Sequence, residues 1–293
     1  MKSNGKIIFF GTSEFAVPAL EAFFNAGYEI GAVITTPDEP VGRKQILTPS
    51  PVKFCAEKLG LKILQPQKLD SEFLKILQTT NHKLPTTLGI VASYGKIIPK
   101  EIIDSFPLGI LNIHPSLLPK YRGPSPIQTQ ILNGETEIGV TIIKIDELVD
   151  HGPIVAEQES RIMNHELFED AQNKLSRIGT NLLVKILPDY ISGKIKPIEQ
   201  NHDLASFTKK TSKEDGKIDW NKPAEQIYDQ FRAFHKWPGV WTIWKNKILK
   251  ITDLRVQNGK IEILRLQLEG GKEMSLKEFV AGHKDFIVGK LGR

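Results

Sequence analysis

The sequence has a single cysteine, Cys55, in 293 residues. One thiol cannot close an internal disulfide, which excludes a disulfide-stapled secreted scaffold and points to a reducing, cytoplasmic setting. No apolar run approaches the ~18 residues that a membrane helix needs. The early stretch KIIFF (Lys6–Phe10) is too short for the apolar core of a signal peptide. No membrane partner is therefore expected. The turn GTSEF (Gly11–Phe15) has neither G-x-G-x-x-G nor the lysine of a phosphate loop, which excludes a dinucleotide or nucleoside triphosphate site there. The seven histidines and one cysteine show no ligand spacing, so no metal is expected. Cys55 lies in the helical pattern KFCAEKLG and reads as core packing rather than as a catalytic thiol.

What is present fits an ordinary globular chain of one large domain or two, with 40% hydrophobic and 25% charged residues. The net charge of +5 is unevenly spread. Residues 1–206 hold 21 Lys and Arg against 23 Asp and Glu, a net of −2, whereas residues 207–293 hold 18 against 11, a net of +7. Such asymmetry suits a C-terminal part that meets a polyanion, or one with a merely solvated basic face.

Hydrophobic periodicity divides the chain into two textures. In the first, strand-like runs (KIIFFG, YEIGAVIT, LKIL, TTLGIVAS, LGILNI) alternate with helical patterns (EFAVPALEAFFNAGY behind a capping Ser13, PSPVKFCAEKLG behind Ser50, SEFLKILQ). That alternation predicts an α/β fold, doubly wound around a mostly parallel sheet. IGVTIIKI and PIVAEQES suggest an antiparallel pair appended to the sheet, and residues 166–187 form the longest helical pattern. The expected catalytic domain is 1–191, followed by a polar linker at 192–206. Beyond it VWTIW, KILKITDLRV, KIEILRLQL and DFIVGKLG predict short strands without intervening helices, hence a small C-terminal β-barrel over 207–293.

Candidate chemistry gathers in LNIHPSLLPKYRGPSPIQ (Leu111–Gln128). Open α/β sheets bind ligands beyond the carboxyl ends of their strands. Asn112 and His114 stand two apart at such an end, so their side chains share a face. An amide donor and an imidazole on one point suit a developing oxyanion, or simply tie a loop to the sheet. A carboxylate is needed nearby to set the charge of the imidazole. Asp150 in IDELVDHGPI is the best placed, with Asp146 and Glu147 competing. Arg122 and Gly123 form a turn that could approach a ligand closely. The long Pro-bounded loop Thr35–Lys53 carries Arg43 and Lys44 near its tip, where they could reach an anion.

These stretches, with IIFFGTSEFAVPALEAF, TTPDEPVGRKQILTPSPVKFCAEK, SYGKIIP and KKTSKEDGKIDWNKPAEQIYDQFRAFHKWPGVWT, run in one order along the whole chain. They resemble the folate-dependent formyltransferases. The N-x-H followed by SLLPxxRG marks that group, and the P-x-G-R loop with KIDW and RAF-x-x-WP narrows the likeness to the methionyl-tRNA formyltransferase family. The resemblance implies a fold of formyltransferase Rossmann-like domain and C-terminal OB-like barrel. It implies 10-formyltetrahydrofolate as donor and the α-amine of initiator Met-tRNA as acceptor. Asn112 and His114 would hold the oxyanion and Asp150 would set the charge of His114 and assist proton transfer. Ser93, Tyr94 and Gly95, with Ser116, Leu117, Leu118 and Pro119, would line the folate pocket, with a cis bond at Leu118–Pro119. Arg43 and Lys44 would meet the acceptor stem, and the basic C-terminal domain the tRNA backbone. A monomer is the plain expectation. The alternative acceptor is a nucleotide-linked amino sugar or other small amine, which would not need the long loop with Arg43.

The chain departs from the family pattern in three places, one of them the strand before Ser93, which begins Thr86–Thr87 where an acidic residue is common. The acidic loop, usually D-E-G-L-D-T-G, here reads Asp146–Glu147–Leu148–Val149–Asp150–His151–Gly152, placing an imidazole beside Asp150. The C-terminal domain is short, with only QNGKIEILRLQLEGGKE between KITDLRV and MSLKEF.

Overall fold

The computed structural model describes residues 6–42, 44–81, 87–288 and 291. The chain forms two compact units: Met1–Gly123 with Gly139–Ser160 and Gln172–Phe207, and Pro124–Ile138 with Arg161–Ala171 and Thr208–Arg293. The second unit thus begins beside the expected cut near Ser206 but also takes two segments from within residues 1–191.

The first unit starts with β1 (Lys6–Gly11), buried at every position. Ser13 then accepts a hydrogen bond from the Phe15 amide and opens a 3-10 turn, which runs into α1 (Val17–Asn25). β2 (Glu29–Ile34) passes from an exposed start to a buried end. A short hairpin follows, β3 (Glu39–Val41) and β4 (Ile46–Thr48), paired antiparallel and exposed throughout. The loop expected to be irregular is therefore partly regular. Pairing Val41 with Ile46 leaves a four-residue turn, in which Gly42 and Gln45 supply positive φ.

Ser50 caps α2 (Pro51–Lys58) by accepting from the Lys53 amide. β5 (Ile63–Leu64), α3 (Ser71–Asn81), β6 (Thr87–Ala92), α4 (Lys100–Ile103), β7 (Ile110–His114), α5 (Pro126–Leu132), β8 (Glu137–Lys144), β9 (Ile154–Arg161) and α6 (Phe168–Ile191) follow. The sheet order is β5-β2-β1-β6-β7-β8-β9. β1 pairs in parallel with β2 on one side and β6 on the other, β6 pairs in parallel with β7, and β8 joins β7 antiparallel. The mostly parallel sheet predicted from the alternating pattern is thus observed. Its winding reverses at β1, so the crevice that such sheets offer to ligands opens beyond the carboxyl ends of β1 and β6.

One face of the sheet buries Ile8 and Phe10 with Phe73, Leu77, Tyr94 and Phe106. Phe10 meets Tyr94 and Phe106 edge to face, with ring centroids 5.6 and 6.1 Å away. Each such burial contributes about 1.5–3 kcal/mol, and together they fix the strand ends from which the loops depart. Residues 192–206, expected as a linker, return to this unit. Ile198 bridges to Ile154, a 3-10 turn covers His202–Leu204, and Gln200 is buried.

The second unit contains the antiparallel sheet of a small barrel-like domain, β10 (Val240–Trp244), β11 (Lys247–Gln257), β12 (Lys260–Leu268) and β13 (Glu273–Ser275), in that order. Two helices accompany it that the strand-only expectation omitted, α7 (Ala224–Phe234) and α8 (Leu276–Gly282). α7 buries Ile227, Phe231 and Phe234, a helical spacing masked in sequence by the charged residues between them. α8 opens with a reciprocal capping box between Ser275 and Glu278. DFIVGKLG does not form the expected strand over its described residues. Its Phe286 instead packs edge to face on Trp244 and Phe279.

Candidate active site

β7 delivers Asn112 and His114 to the carboxyl end of the sheet on one face of the strand, as their spacing predicted. His114 is 3% exposed and Asn112 is half-buried. Both reach one oxygen. The Asn112 amide donates to Asp150 Oδ1 at 3.3 Å, and His114 Nδ1 lies 3.4 Å from that atom. The second carboxylate oxygen, Oδ2, accepts from the Gly123 backbone amide at 2.8 Å. Asp150, Asn112 and His114 are therefore one cluster, and neither competing carboxylate replaces Asp150 in it. Asp146 accepts instead from the Leu148 amide at 2.9 Å and pairs with His151 at 2.7 Å.

The remaining nitrogen of His114, Nε2, lies 3.0 Å from the Tyr121 carbonyl. A carbonyl only accepts, so Nε2 carries a hydrogen. Nδ1 faces the Asp150 carboxylate, so the ring is held between that carboxylate and the Tyr121 carbonyl.

The loop after β7 is held along its length. Thr141, fully buried on β8, donates to the Ser116 carbonyl at 2.7 Å and accepts from the Leu118 amide at 3.0 Å. Ser116 Oγ donates to the Lys120 carbonyl at 2.7 Å. The Leu118–Pro119 bond is cis, as the resemblance implied. The amides of Tyr121 and Arg122 donate to the side chain and carbonyl of Ser206, each at 2.8 Å. Arg122 is 3% exposed, and burial lowers its pKa against the raising effect of Asp150 and Asp146.

Of the other expected residues, Ser93 and Gly95 are exposed at the end of β6, next to β7 in the sheet. The Ser93 carbonyl accepts from the Thr12 amide at 3.1 Å and its hydroxyl from Ser13 Oγ at 2.8 Å, which joins the loops beyond β1 and β6. The Tyr94 ring turns into the core, and burial raises its pKa. Leu118 is buried. Lys44 is exposed at the hairpin turn, and Arg43 lies outside the described residues. The His151 side chain pairs with Asp146. Its ring stacks on His202, with centroids 4.0 Å apart and planes 5° from parallel. Among the described residues, no group of three or more His, Cys, Asp or Glu could hold a metal ion.

Sequence reasoning missed Thr141 and Gln200. Thr141 sits inside the continuous apolar run of β8, where a lone threonine gives no signal. Gln200 sits in a polar stretch without periodicity.

Comparison with known proteins adds a pedigree to this geometry. The Formyl transferase family matches residues 5–187, and Formyl transferase, C-terminal domain, matches residues 210–260. A methionyl-tRNA formyltransferase of Caldicellulosiruptor saccharolyticus is 38% identical over 307 aligned positions, covering 95% of this chain and 97% of that protein. The chain belongs to the methionyl-tRNA formyltransferase family. Another member, from Chloroflexus aurantiacus, is 45% identical over 246 positions, covering 84% of this chain and 78% of its own length. Solved structures share the fold. A methionyl-tRNA formyltransferase from Clostridium thermocellum superposes with a TM-score of 0.61 at 18% identity, covering 90% of this chain and 98% of that one. An N-formyltransferase from Helicobacter canadensis, solved with folinic acid and dTDP-3-aminofucose, gives 0.66 at 21% identity, covering 92% and 98%.

Proposed function

We propose that the protein transfers the formyl group of 10-formyltetrahydrofolate to the α-amine of methionyl-initiator-tRNA, in the cytoplasm and as a monomer. The observation that carries this reading is the convergence of Asn112, His114 and Asp150 at the end of β7 in a chain akin over nearly its full length to methionyl-tRNA formyltransferases. Sugar-type formyltransferases share the fold at lower identity, so the tRNA acceptor is the better supported.

The amine nitrogen attacks the formyl carbon, and the formyl C=O becomes a single bond to an oxyanion. Asn112 uses one amide hydrogen on Asp150 and offers its second to that oxyanion. His114 stands beside it, buried, where a polar group acts most strongly on developing charge. The attacking nitrogen must lose a proton, and folate N10 must gain one as the C–N10 bond breaks. Asp150 accepts the first through water and returns it toward N10. Ser93, Gly95 and the Ser116–Pro119 loop contact the folate, with Tyr94 supporting their turn from the core. Arg43 and Lys44 contact the acceptor stem. The +7 of residues 207–293 supports a tRNA-backbone role for that domain.

The test is transfer of labelled formyl from 10-formyltetrahydrofolate to purified initiator and elongator Met-tRNA at two salt concentrations. Transfer that favours the initiator and weakens with salt is expected. Donor consumption with small amines but none with tRNA would overturn the acceptor assignment.

A further inference from the structure

We infer that Gln200 is a positioning residue that holds Asp150 in its working orientation, in concert with Arg122; the inference rests on the role given to Asp150 above. Gln200 is 5% exposed, and its amide is fully occupied. Nε2 donates to the Asp150 carbonyl at 3.0 Å and to the Gly152 carbonyl at 2.7 Å. Oε1 accepts from Arg122 Nε at 3.2 Å and Nη2 at 2.6 Å. The amide can face only one way, because a guanidinium only donates and the two carbonyls only accept.

These bonds act on a strained point. Asp150 has φ +49°, a left-handed conformation that a non-glycine residue keeps only when its surroundings over-determine it. Gly123 holds the carboxylate end and Gln200 the carbonyl end of the same residue. Two residues on, Gly152 packs so close to the Lys144 carbonyl that a Cβ there would overlap it, so the acidic loop is held close on that side as well. Arg122 Nη2 also donates to His202 Nδ1 at 2.8 Å. The clamp therefore runs from the loop after β7, through Gln200, to the acidic loop. Without it, the Asp150 backbone is free to relax and carry Oδ1 away from Asn112 and His114.

The test is Gln200→Glu in the full-length enzyme, assayed for formyl transfer to Met-tRNA with Asp150→Asn in parallel. The substitution preserves shape and the contact to Arg122 but sets a carboxylate against both carbonyls. We expect kcat to fall about 100-fold through misplacement of the base, with KM for folate and tRNA unchanged. The acid limb of the kcat profile should move to higher pH, because a second carboxylate lies near Asp150. Gln200→Met, neutral and similar in length, should show the same kcat loss without the pH displacement, and it serves should the buried charge prevent folding. A lowered melting temperature with wild-type kcat and pH profile in both folded variants would make Gln200 merely structural and overturn the inference alone. Wild-type kcat in Asp150→Asn would overturn the reading of Asp150 and this inference together.

Discussion

Two loops of the first unit look alike in sequence, and both are tied at the base, the first by Thr35 to Ser50 and Asp38 to Lys53, but they differ in how the rest is held. Both Thr35–Lys53 and Ser116–Gly123 are proline-broken and carry an arginine. The second is fastened to Thr141, Ser206, Gln200 and Asp150, with Leu118, Ser116 and Arg122 buried. The hairpin of the first exposes Val41, Ile46 and Leu47 by 55–65% and is joined to itself by three register pairs. Chemistry on a formyl carbon needs donors fixed before the charge develops. A loop that meets a large nucleic acid gains more from reach than from rigidity. The difference matches the division proposed above, with chemistry beside the fastened loop and recognition at the exposed hairpin.

The sharpest way to break this comparison is to remove the chemistry from the fastened side. His114→Ala or Asp150→Asn should lower kcat by about two or more orders of magnitude, while tRNA binding in a filter assay survives. Near-wild-type turnover in both would dissolve the distinction. Next, Thr141→Val keeps the shape of a fully buried residue but leaves the Leu118 amide and Ser116 carbonyl unpaired. It should cost about 1–3 kcal/mol in chemical denaturation and lower kcat as well, since the loop carries part of the site. Replacing Glu39–Thr48 by a short glycine linker should leave the melting temperature unchanged and raise KM for Met-tRNA about tenfold, the equivalent of ~1.4 kcal/mol of contact. A large fall in melting temperature would show that the hairpin serves the fold. The smallest effect is expected at Cys55, 6% exposed, whose thiol is pushed up to about 11 by burial and then by Glu21. At pH 8 only about one thiol in a thousand is then ionised. Alkylation of the native protein should be very slow, and Cys55→Ser should turn over normally.

How much of this was readable beforehand follows from the range of each interaction. Strand–helix alternation is local, so the α/β class and most element positions were legible in Lys6–Ile191. The pairing of Asn112 with His114 was legible because strand geometry fixes residues two apart. α7 was not, because its apolar residues Ile227, Phe231 and Phe234 stand among charges and close to the strand-like VWTIW. The choice of Asp150 over Asp146 was not decided by spacing, because it depends on the Gly123 amide, 27 positions away in sequence. Gln200 was invisible for the same reason, since its partners are 48 to 78 positions distant and its neighbours are an undistinguished polar run.

The closure of the loop by Ser206 sets a schedule for the newborn chain. Tyr121 and Ser206 are separated by 85 positions, and synthesis proceeds from the amino end. Every strand of the seven-stranded sheet has left the ribosome before Ser206 does, yet the Tyr121 and Arg122 amides have only water to bond until it arrives. A nascent chain arrested at residue 195 holds all seven strands in its sequence but not the residue that receives the Tyr121 and Arg122 amides. Order of birth thus places the closing of this loop after the last strand of the sheet.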